Sequence, residues 1–289
     1  MLRTCLATLV ILAHAAGATE PGQFDAGGQN KSGLTFSPDG RTAWWAEWDG
    51  EWGGSDRTAS AIYRSVRCND TWSDPIPAPF TGDYSDDEPF VSPDGRWLYF
   101  VSNRPEGELD DTADANIWRY NLQDDRLEFL PVNSTGTEYS PVVTALGTLY
   151  FASDRAGGYG RGDIYRADPS NDGFQEPQPL GPSINSRFGE WNVWVSPDGR
   201  EMIFESSSRP ENVSIPGDLY VSVRTSTGWS SAVPIGDLNS ADSDLMARVH
   251  PDGETMYYTT APIGGHARIV KVRWVNPIGA GKHLKSNTD

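Results

Sequence analysis

The chain has 289 residues and a formal net charge of −17, from 40 acidic and 23 basic side chains. Such a charge disfavours nucleic acid and anionic membranes as partners and favours cationic partners or metal ions, although it also serves solubility alone. The 30 glycines and 21 prolines, without any sustained helical periodicity, exclude a mainly helical fold.

The N-terminal residues have the pattern of an export signal. Arg3 precedes an apolar run at residues 6–12, and Ala16-Gly17-Ala18 offers a small-x-small cleavage site. The run is far shorter than the roughly 20 residues that span a bilayer. The sequence therefore predicts a signal peptide over residues 1–18, no membrane span and a periplasmic or secreted mature chain. That mature chain keeps one cysteine, Cys68, so no intramolecular disulfide is expected.

A turn motif divides the remaining chain into five repeats. Pro-Asp-Gly occurs four times and Ala-Leu-Gly stands in the third place, with glycines 55, 52, 52 and 54 residues apart at Gly40, Gly95, Gly147, Gly199 and Gly253. In a tight hairpin, proline presets one corner, aspartate bonds the turn backbone and glycine accepts a positive φ. Short runs rich in β-branched and aromatic residues flank the turns, which is typical of strands. The predicted strands are, in chain order, 44–48, 61–66 and 72–80; 97–102, 117–121 and 127–131; 148–153 and 163–167; the run ending at 195, 202–206, 218–223 and 229–235; and 246–250, 255–260 and 269–274.

Other short motifs recur with the same period. Ser-x-Arg occurs at Ser102-Asn103-Arg104, Ser153-Asp154-Arg155 and Ser207-Ser208-Arg209, and Asn-Ser joints occur at 184–186 and 238–240. Together with the Pro-Asp-Gly turns, these motifs resemble the WD40-like (PD40) repeats of the TolB-like β-propeller family over nearly the whole mature chain. The resemblance implies an all-β fold, a five-bladed β-propeller of four-stranded antiparallel blades. It leaves function open, because propellers host many unrelated activities.

The repeats predict one propeller domain over residues 19–278 and a flexible tail at 279–289. The blades are expected to start near residues 32, 87, 139, 191 and 245. The last repeat has no clear fourth strand, while residues 20–28 are similar to an outer strand that has no blade of its own. We therefore expect residues 23–26 to complete the last blade, which would join the chain ends and cover a sheet edge.

Five polar residues stand seven positions before the turn proline, or before Ala145 in the third repeat, where the innermost strands begin. They are Lys31, Asp86, Glu138, Glu190 and Asp244. In a propeller these residues should ring one mouth of the central channel. The carboxylates could form a general acid/base pair or a site for a hard cation such as Ca²⁺. The alternative is structural, with bonds to backbone amides or to the Ser-x-Arg arginines, and the resemblance implies an acidic residue here in most repeats whatever the function.

The residues that follow these positions differ between repeats and are candidates for binding. With Lys31, the predicted binding residues are Asp87, Glu88, Tyr139, Trp191, Asn192 and Arg248. A tryptophan surface that stacks on sugars or grips a peptide could be formed by Trp191, Trp194, Trp44, Trp45, Trp48 and Trp52. Packing between blades uses the same residue types, and strand alternation should point Trp191 and Trp194 to different sides.

Two hypotheses of function follow. The first is a binding or scaffold module in the cell envelope with a protein or glycan partner, as the resemblance implies. Zinc-ligand spacing, a P-loop and a nucleophile elbow are all missing from the sequence. The second is a carbohydrate-active enzyme, similar to glycoside hydrolases, that uses Asp86, Glu138, Glu190 and Asp244 as acid and base. It requires that two of these carboxylates lack arginine or backbone partners.

Overall fold

The computed structural model describes residue 24, residue 28 and residues 30–55, 58–106 and 114–280. Most of these residues form five antiparallel sheets that follow one another along the chain. The innermost strand of each sheet contacts the innermost strand of the next, and the first also contacts the last, which closes a ring. The predicted all-β, five-bladed propeller is confirmed.

In each blade the first strand is innermost and the later strands pair outwards. Blade 1 contains β1 (Lys31–Phe36), β2 (Thr42–Glu47), β3 (Ala61–Cys68), β4 (Thr71–Trp72) and β5 (Ile76–Pro77), the last two both paired with β3. Blade 2 contains β6 (Asp86–Val91), β7 (Trp97–Ser102), β8 (Asn116–Asn121) and β9 (Leu127–Phe129). Blade 3 contains β10 (Glu138–Val143), β11 (Leu149–Ser153), β12 (Asp163–Ala167) and β15 (Gln178–Pro179), with the small hairpin β13 (Pro169–Ser170) and β14 (Gly173–Phe174).

The last two blades differ in their outer strands. Blade 4 contains β16 (Gly189–Val195), β17 (Glu201–Ser207), β18 (Asp218–Thr225), β19 (Gly228–Trp229) and β20 (Val233–Pro234). Blade 5 contains β21 (Ser243–Val249), β22 (Thr255–Ala261) and β23 (Arg268–Arg273), and the short helix α1 (Pro277–Ala280) follows it. Within the part of the chain that the structure describes, no helix is long and apolar enough to cross a membrane.

The Pro-Asp-Gly motifs form the turns between the first two strands of four blades. Gly40 has a φ of 66° and Gly253 a φ of 73°, and the Ala-Leu-Gly turn is similar, with a φ of 84° at Gly147. Asp39 accepts hydrogen bonds from the Ser37 hydroxyl at 2.6 Å and from the Arg41 amide at 3.0 Å, which fixes the turn. These turns all lie on one face of the ring, here named the turn face. The opposite face, where the innermost strands begin, is named the mouth face.

Every innermost strand contains a β-bulge. The register shifts by one residue in all five pairings of the first with the second strand. The bulged residues, each two positions after the ring of polar residues predicted above, have φ values between 45° and 64° and are Gly33, Glu88, Ser140, Asn192 and Met246. A bulge sends successive side chains in directions that simple alternation does not predict, and here it sets which side chains line the channel.

The hydrophobic core lies between adjacent blades and is rich in aromatic side chains. Phe100, Phe151 and Phe204 occupy equivalent places in the second strands and are fully buried. Trp44, Trp45 and Trp48 are also buried. The expectation that these three tryptophans contribute to a stacking surface is therefore wrong, because they pack between strands and blades.

Phe24, near the N-terminus, packs against blade 1. Its ring is buried against Trp45 and Trp72 with centroid distances of 5.2 and 4.9 Å. Phe24 shares this cluster with Tyr257 of blade 5. Residues 23, 25 and 26 lie outside the described residues, so closure of blade 5 by this segment stays a prediction. The predicted signal peptide and residues 281–289 of the predicted tail also lie outside them.

Candidate functional site at the channel mouth

Three of the predicted ring carboxylates are bound to arginines. Asp86, Glu138 and Glu190 have no exposed surface. Their oxygens lie 2.5, 2.9 and 2.8 Å from Nη2 of Arg104, Arg155 and Arg209, respectively. Each arginine also donates to a carbonyl before the innermost strand, on Phe80, Val132 and Ile184. These ion pairs therefore tie the loop that enters each blade to the end of its second strand.

The other two members of the ring depart from this arrangement. Lys31 pairs with Glu47 at 3.0 Å. In blade 1 the cation is therefore at the start of the first strand and the carboxylate at the end of the second strand, the reverse of the arginine pairs. Asp244 accepts a hydrogen bond from the Ser240 amide at 2.6 Å, and its Oδ1 has no hydrogen-bond partner among the described residues. Burial raises the pKa of Asp244. Asp244 is thus the one ring carboxylate without an arginine in the described chain.

The ring does not supply a set of metal ligands. Among the described residues, no group of three or more His, Cys, Asp or Glu side chains is placed to hold a metal ion. Three ring carboxylates already accept bonds from arginine, and Glu138 and Glu190 also accept bonds from serine hydroxyls. An acid/base pair drawn from the ring would need two carboxylates free of such partners, and only Asp244 comes close to that condition.

A cavity of about 600 Å³ opens on the mouth face, inside the ring. Its rim includes the aromatic side chains of Trp52, Tyr139 and Trp191, and its polar lining includes Asp87, Glu88, Asn192 and Glu205. The structure therefore brings together Asp87, Glu88, Tyr139, Trp191 and Asn192 of the predicted binding residues. A volume of this size is ordinary for a pocket that holds a small molecule or a short segment of a polymer.

A chain of hydrogen bonds crosses the floor of this cavity. The Ser140 amide donates to Glu88 Oε2, and the Ser140 hydroxyl lies 3.1 Å from the same oxygen and 2.9 Å from Asn192 Oδ1. The Asn192 amide group in turn donates to Glu205 Oε2. The Ser140 hydroxyl has one proton, so it cannot donate to both oxygens. Both contacts are hydrogen bonds at the same time when Ser140 donates to Asn192 and a protonated Glu88 donates to Ser140.

The two carboxyl groups in this chain of hydrogen bonds, Glu88 and Glu205, have raised pKa values. Burial raises the pKa of Glu88 to about 7, and the nearby charge of Asp87 adds to the effect. Burial also raises the pKa of Glu205 to about 8, against the opposing hydrogen bond from Asn192. The floor of the cavity therefore contains two carboxyl groups that exchange protons near neutral pH.

Trp191 is held in one position at the rim of the cavity. Its ring lies over Gly162 and Gly189, where a Cβ would overlap the indole. The ring of Tyr139 meets it edge-on with a centroid distance of 5.2 Å. Trp191 stays partly exposed, whereas Trp194 is buried and lines a second cavity on the turn face. The two tryptophans thus line different cavities, but the bulge between them pairs Trp191 with Glu205 and Trp194 with Ile203, two residues apart, so the predicted alternation to different sides is not confirmed.

Two results differ from the sequence expectations. Arg248 lines the cavity on the turn face and is not among the residues of the mouth cavity. Glu205 was not predicted at all, although a comparison of the repeats contains the signal. At its position in the second strand, the other blades have Ala46, Val101, Ala152 and Thr259. A glutamate at a position that is otherwise small or apolar marks a departure from the repeat.

No protein-family model and no curated protein matches this chain. Among solved structures, it is similar to TolB from Acinetobacter baumannii, with 15% identity and a TM-score of 0.52 over 84% of this chain and 55% of that one. A putative TolB from Agrobacterium tumefaciens matches with 17% identity and a TM-score of 0.54 over 85% and 82% of the two chains. An alpha-L-arabinofuranosidase from Lactobacillus brevis matches with 12% identity and a TM-score of 0.51 over 86% and 92%.

These similarities establish the propeller fold and nothing finer, because identities this low are compatible with unrelated activities on one fold. The chain spans little more than half the length of the A. baumannii TolB. The similar structures also include both a TolB and a glycosidase. The choice between binding and catalysis therefore depends on the residues of the mouth cavity.

Proposed function

We propose that this protein is an exported, TolB-like propeller of PD40 repeats that acts as a binding module in the cell envelope, and that its ligand occupies the mouth cavity. The observation that carries the proposal is Trp191, a partly exposed indole fixed over two glycines at the rim of a polar cavity. A rigid aromatic side chain binds with little loss of conformational entropy. Tyr139, which contacts Trp191, and Trp52, which lines the same cavity, add two more aromatic side chains.

A glycan is the ligand class that fits this cavity best. A sugar ring has an apolar face that suits an indole, and hydroxyl groups that suit carboxyl and amide partners such as Glu88, Asn192 and Glu205. The formal charge of −17 disfavours polyanions. The loops around the cavity support the mouth face as the docking face, because they present exposed apolar side chains at Val213, Ile215 and Ile263.

The test is binding of neutral and amino-sugar oligosaccharides to the mature chain, measured by calorimetry. We expect Trp191→Ala to weaken binding at least tenfold while the melting temperature shows that it folds. Tyr159→Ala is the matched control, since Tyr159 is an exposed aromatic residue on the same face that does not line the cavity. Equal binding by Trp191→Ala and the wild type would refute the site. If no glycan binds but a protein partner is captured in a way that depends on Trp191, the ligand of the cavity is a protein segment and not a glycan.

The second candidate function is hydrolysis of a glycan, and it would use Glu88 and Glu205. Their raised pKa values, about 7 and about 8, suit a general acid. The arginine-bound Asp86, Glu138 and Glu190 suit that role poorly, because their charges are already compensated. Release of nitrophenol from aryl glycosides tests this function. If the protein is a glycosidase, the wild type turns over the substrate, and Glu205→Gln or Glu88→Gln lowers the rate at least a hundredfold. If it is a binding module, the wild type shows no turnover.

A further inference from the structure

A second cavity opens on the turn face, at the other end of the channel, with a volume of about 480 Å³. Its walls are mainly apolar and include Phe90, Trp194, Val249 and Trp274. Prolines of the turns, among them Pro93 and Pro197, stand around its opening. The cavity lies at the opposite end of the channel from the glycan site proposed above, and within the described chain the two cavities have no lining residue in common.

Arg248 is the unusual residue of this cavity. Its side chain is only 3% exposed, and Nη1 donates to the Ala247 carbonyl at 3.0 Å. Its Nε and Nη2 have no hydrogen-bond partner within the described part of the chain. These two nitrogens form one edge of the planar guanidinium, the edge that binds a carboxylate through two parallel hydrogen bonds. A buried guanidinium with this edge unused is costly, so an occupant is expected.

The other polar groups near the cavity are already engaged. The hydroxyls of Ser92 and Ser196 donate to the turn aspartates at 2.5 and 2.6 Å. Glu201 accepts a bond from Trp274 Nε1 at 2.7 Å. At the rim, Arg200 lies 3.8 Å from Asp198, and its side chain is 82% exposed. His250 Nδ1 lies 2.9 Å from Asp252.

Glu88 is the carboxylate whose charge acts on Arg248. Its Oε2 accepts bonds from Ser140 on the other side of the channel. No described carboxylate forms an ion pair with Arg248 within 4.0 Å. Burial lowers the pKa of Arg248 to about 10, which leaves the guanidinium charged at neutral pH. The lining of the apolar cavity therefore includes this charged guanidinium, and a ligand reaches its buried Nε and Nη2 edge when a neighbouring side chain moves.

We propose that the turn-face cavity binds a carboxylate attached to an apolar body, with the carboxylate on the Nε and Nη2 edge of Arg248. A planar group with two oxygens matches this edge, and the aromatic and aliphatic walls match a phenyl or branched aliphatic body. The carboxylate could belong to a free organic acid or to the C-terminus of a peptide that ends in an apolar residue. The experiment separates these two sources.

The first measurement is calorimetry on the mature chain at pH 7 and constant ionic strength, with benzoate, benzamide, inorganic phosphate, and a tripeptide ending in phenylalanine as the free acid and as the amide. We expect benzoate or the free-acid peptide to bind at least tenfold more tightly than its amide. Arg248→Gln should lose at least tenfold in that affinity. Arg200→Gln, which removes an exposed arginine at the rim, and Trp191→Ala, which alters the mouth cavity, should stay within twofold of the wild type.

The second measurement uses the wild type, in case Arg248→Gln does not fold. The Nε–H resonance of Arg248, assigned by its loss in the charge-conserving Arg248→Lys variant, should shift on addition of the carboxylate and stay in place on addition of the amide. A peptide that binds where benzoate does not would support the site and identify a chain terminus as its ligand. Equal affinity for acid and amide, binding of phosphate alone, or an unmoved resonance would overturn the proposal.

Discussion

The buried carboxylate of Glu190 binds donors from three other residues. Its oxygens accept hydrogen bonds from the Ser186 amide and hydroxyl, the Ser206 hydroxyl and the Arg209 guanidinium. We predict that Glu190→Gln lowers the free energy of unfolding by about 3 kcal/mol, because the amide leaves Arg209 without its counter-charge. Urea unfolding followed by tryptophan fluorescence measures the change.

The matched control for Glu190→Gln is Glu254→Gln, the same substitution at an exposed residue outside the ion pairs. It should change the free energy of unfolding by less than about 0.5 kcal/mol. A loss in Glu190→Gln as small as that of the control would mean that the arginine pair contributes little to stability. The same outcome would reopen the ring carboxylates as candidates for catalysis.

Glu205 should give the protein a distinctive dependence of stability on pH. Its pKa rises from an ordinary value of 4.5 to about 8 in the folded state. The folded protein therefore holds a proton that the unfolded chain releases, and this contribution to stability is full at low pH and is lost as the pH rises to about 8. We predict that the advantage of the wild type over Glu205→Gln shrinks by up to about 1.4 kcal/mol per pH unit over that window.

Urea unfolding of both proteins at pH 5, 6, 7 and 8 measures this difference. Glu254→Gln serves again as the control, and its profile should run parallel to that of the wild type. Because Glu88 titrates in the same hydrogen-bonded chain, the midpoint belongs to the pair of carboxyl groups. Parallel profiles for the wild type and Glu205→Gln would mean that Glu205 is ionised throughout and that water reaches the floor of the cavity.

At the scale of the strand, the bulge in each innermost strand decides which residues face the channel. Blade 1 has glycine at this position, and a Cβ on Gly33 would lie 3.2 Å from both Glu88 Cα and Pro89 Cδ of the next blade. Gly33 also has a φ of 64°, which alanine adopts at a cost. We predict that Gly33→Ala lowers the free energy of unfolding by about 2 kcal/mol.

Thermal and urea unfolding of Gly33→Ala and Gly181→Ala would measure this effect. Gly181 is the matched control, because a Cβ there meets open space and no positive φ is required. Its replacement by alanine should be neutral or stabilise the protein by about 0.5 kcal/mol. If Gly33→Ala is also neutral, the innermost strands of blades 1 and 2 can move apart, and the channel is less rigid than the packing indicates.

The strands were easier to predict from the sequence than the site was. The turns could be predicted because glycine adopts the positive φ at positions such as Gly199 at the least cost, and the spacing of those turns gave the number of blades. Arg248 was expected at the mouth because it belongs to the segment that follows the ring residue Asp244. It lies near the end of β21, beside the turn that contains Gly253, and therefore lines the cavity on the turn face.

The whole molecule depends on the seam between the first and last blades. Blades 1 to 4 have strands outside the third strand, whereas β23 pairs with β22 alone within the described residues. An open edge of six residues invites pairing with another chain. Phe24 lies at this seam, in a cluster with Trp45 of blade 1 and Tyr257 of blade 5. Its place is consistent with a segment at residues 23–26 that covers the edge of β23.

If the N-terminal segment closes blade 5, the truncation of Phe24 should loosen a strand that is distant from it in sequence. We predict that Phe24→Ala lowers the free energy of unfolding by about 3 kcal/mol and increases hydrogen exchange of the β23 amides, measured by mass spectrometry. Phe129→Ala in the outer strand of blade 2 is the matched control, because it removes the same side chain from a partly buried position. It should leave exchange in β23 unchanged. If Phe24→Ala leaves hydrogen exchange in β23 unchanged, the N-terminal segment packs on blade 1 and does not pair with blade 5.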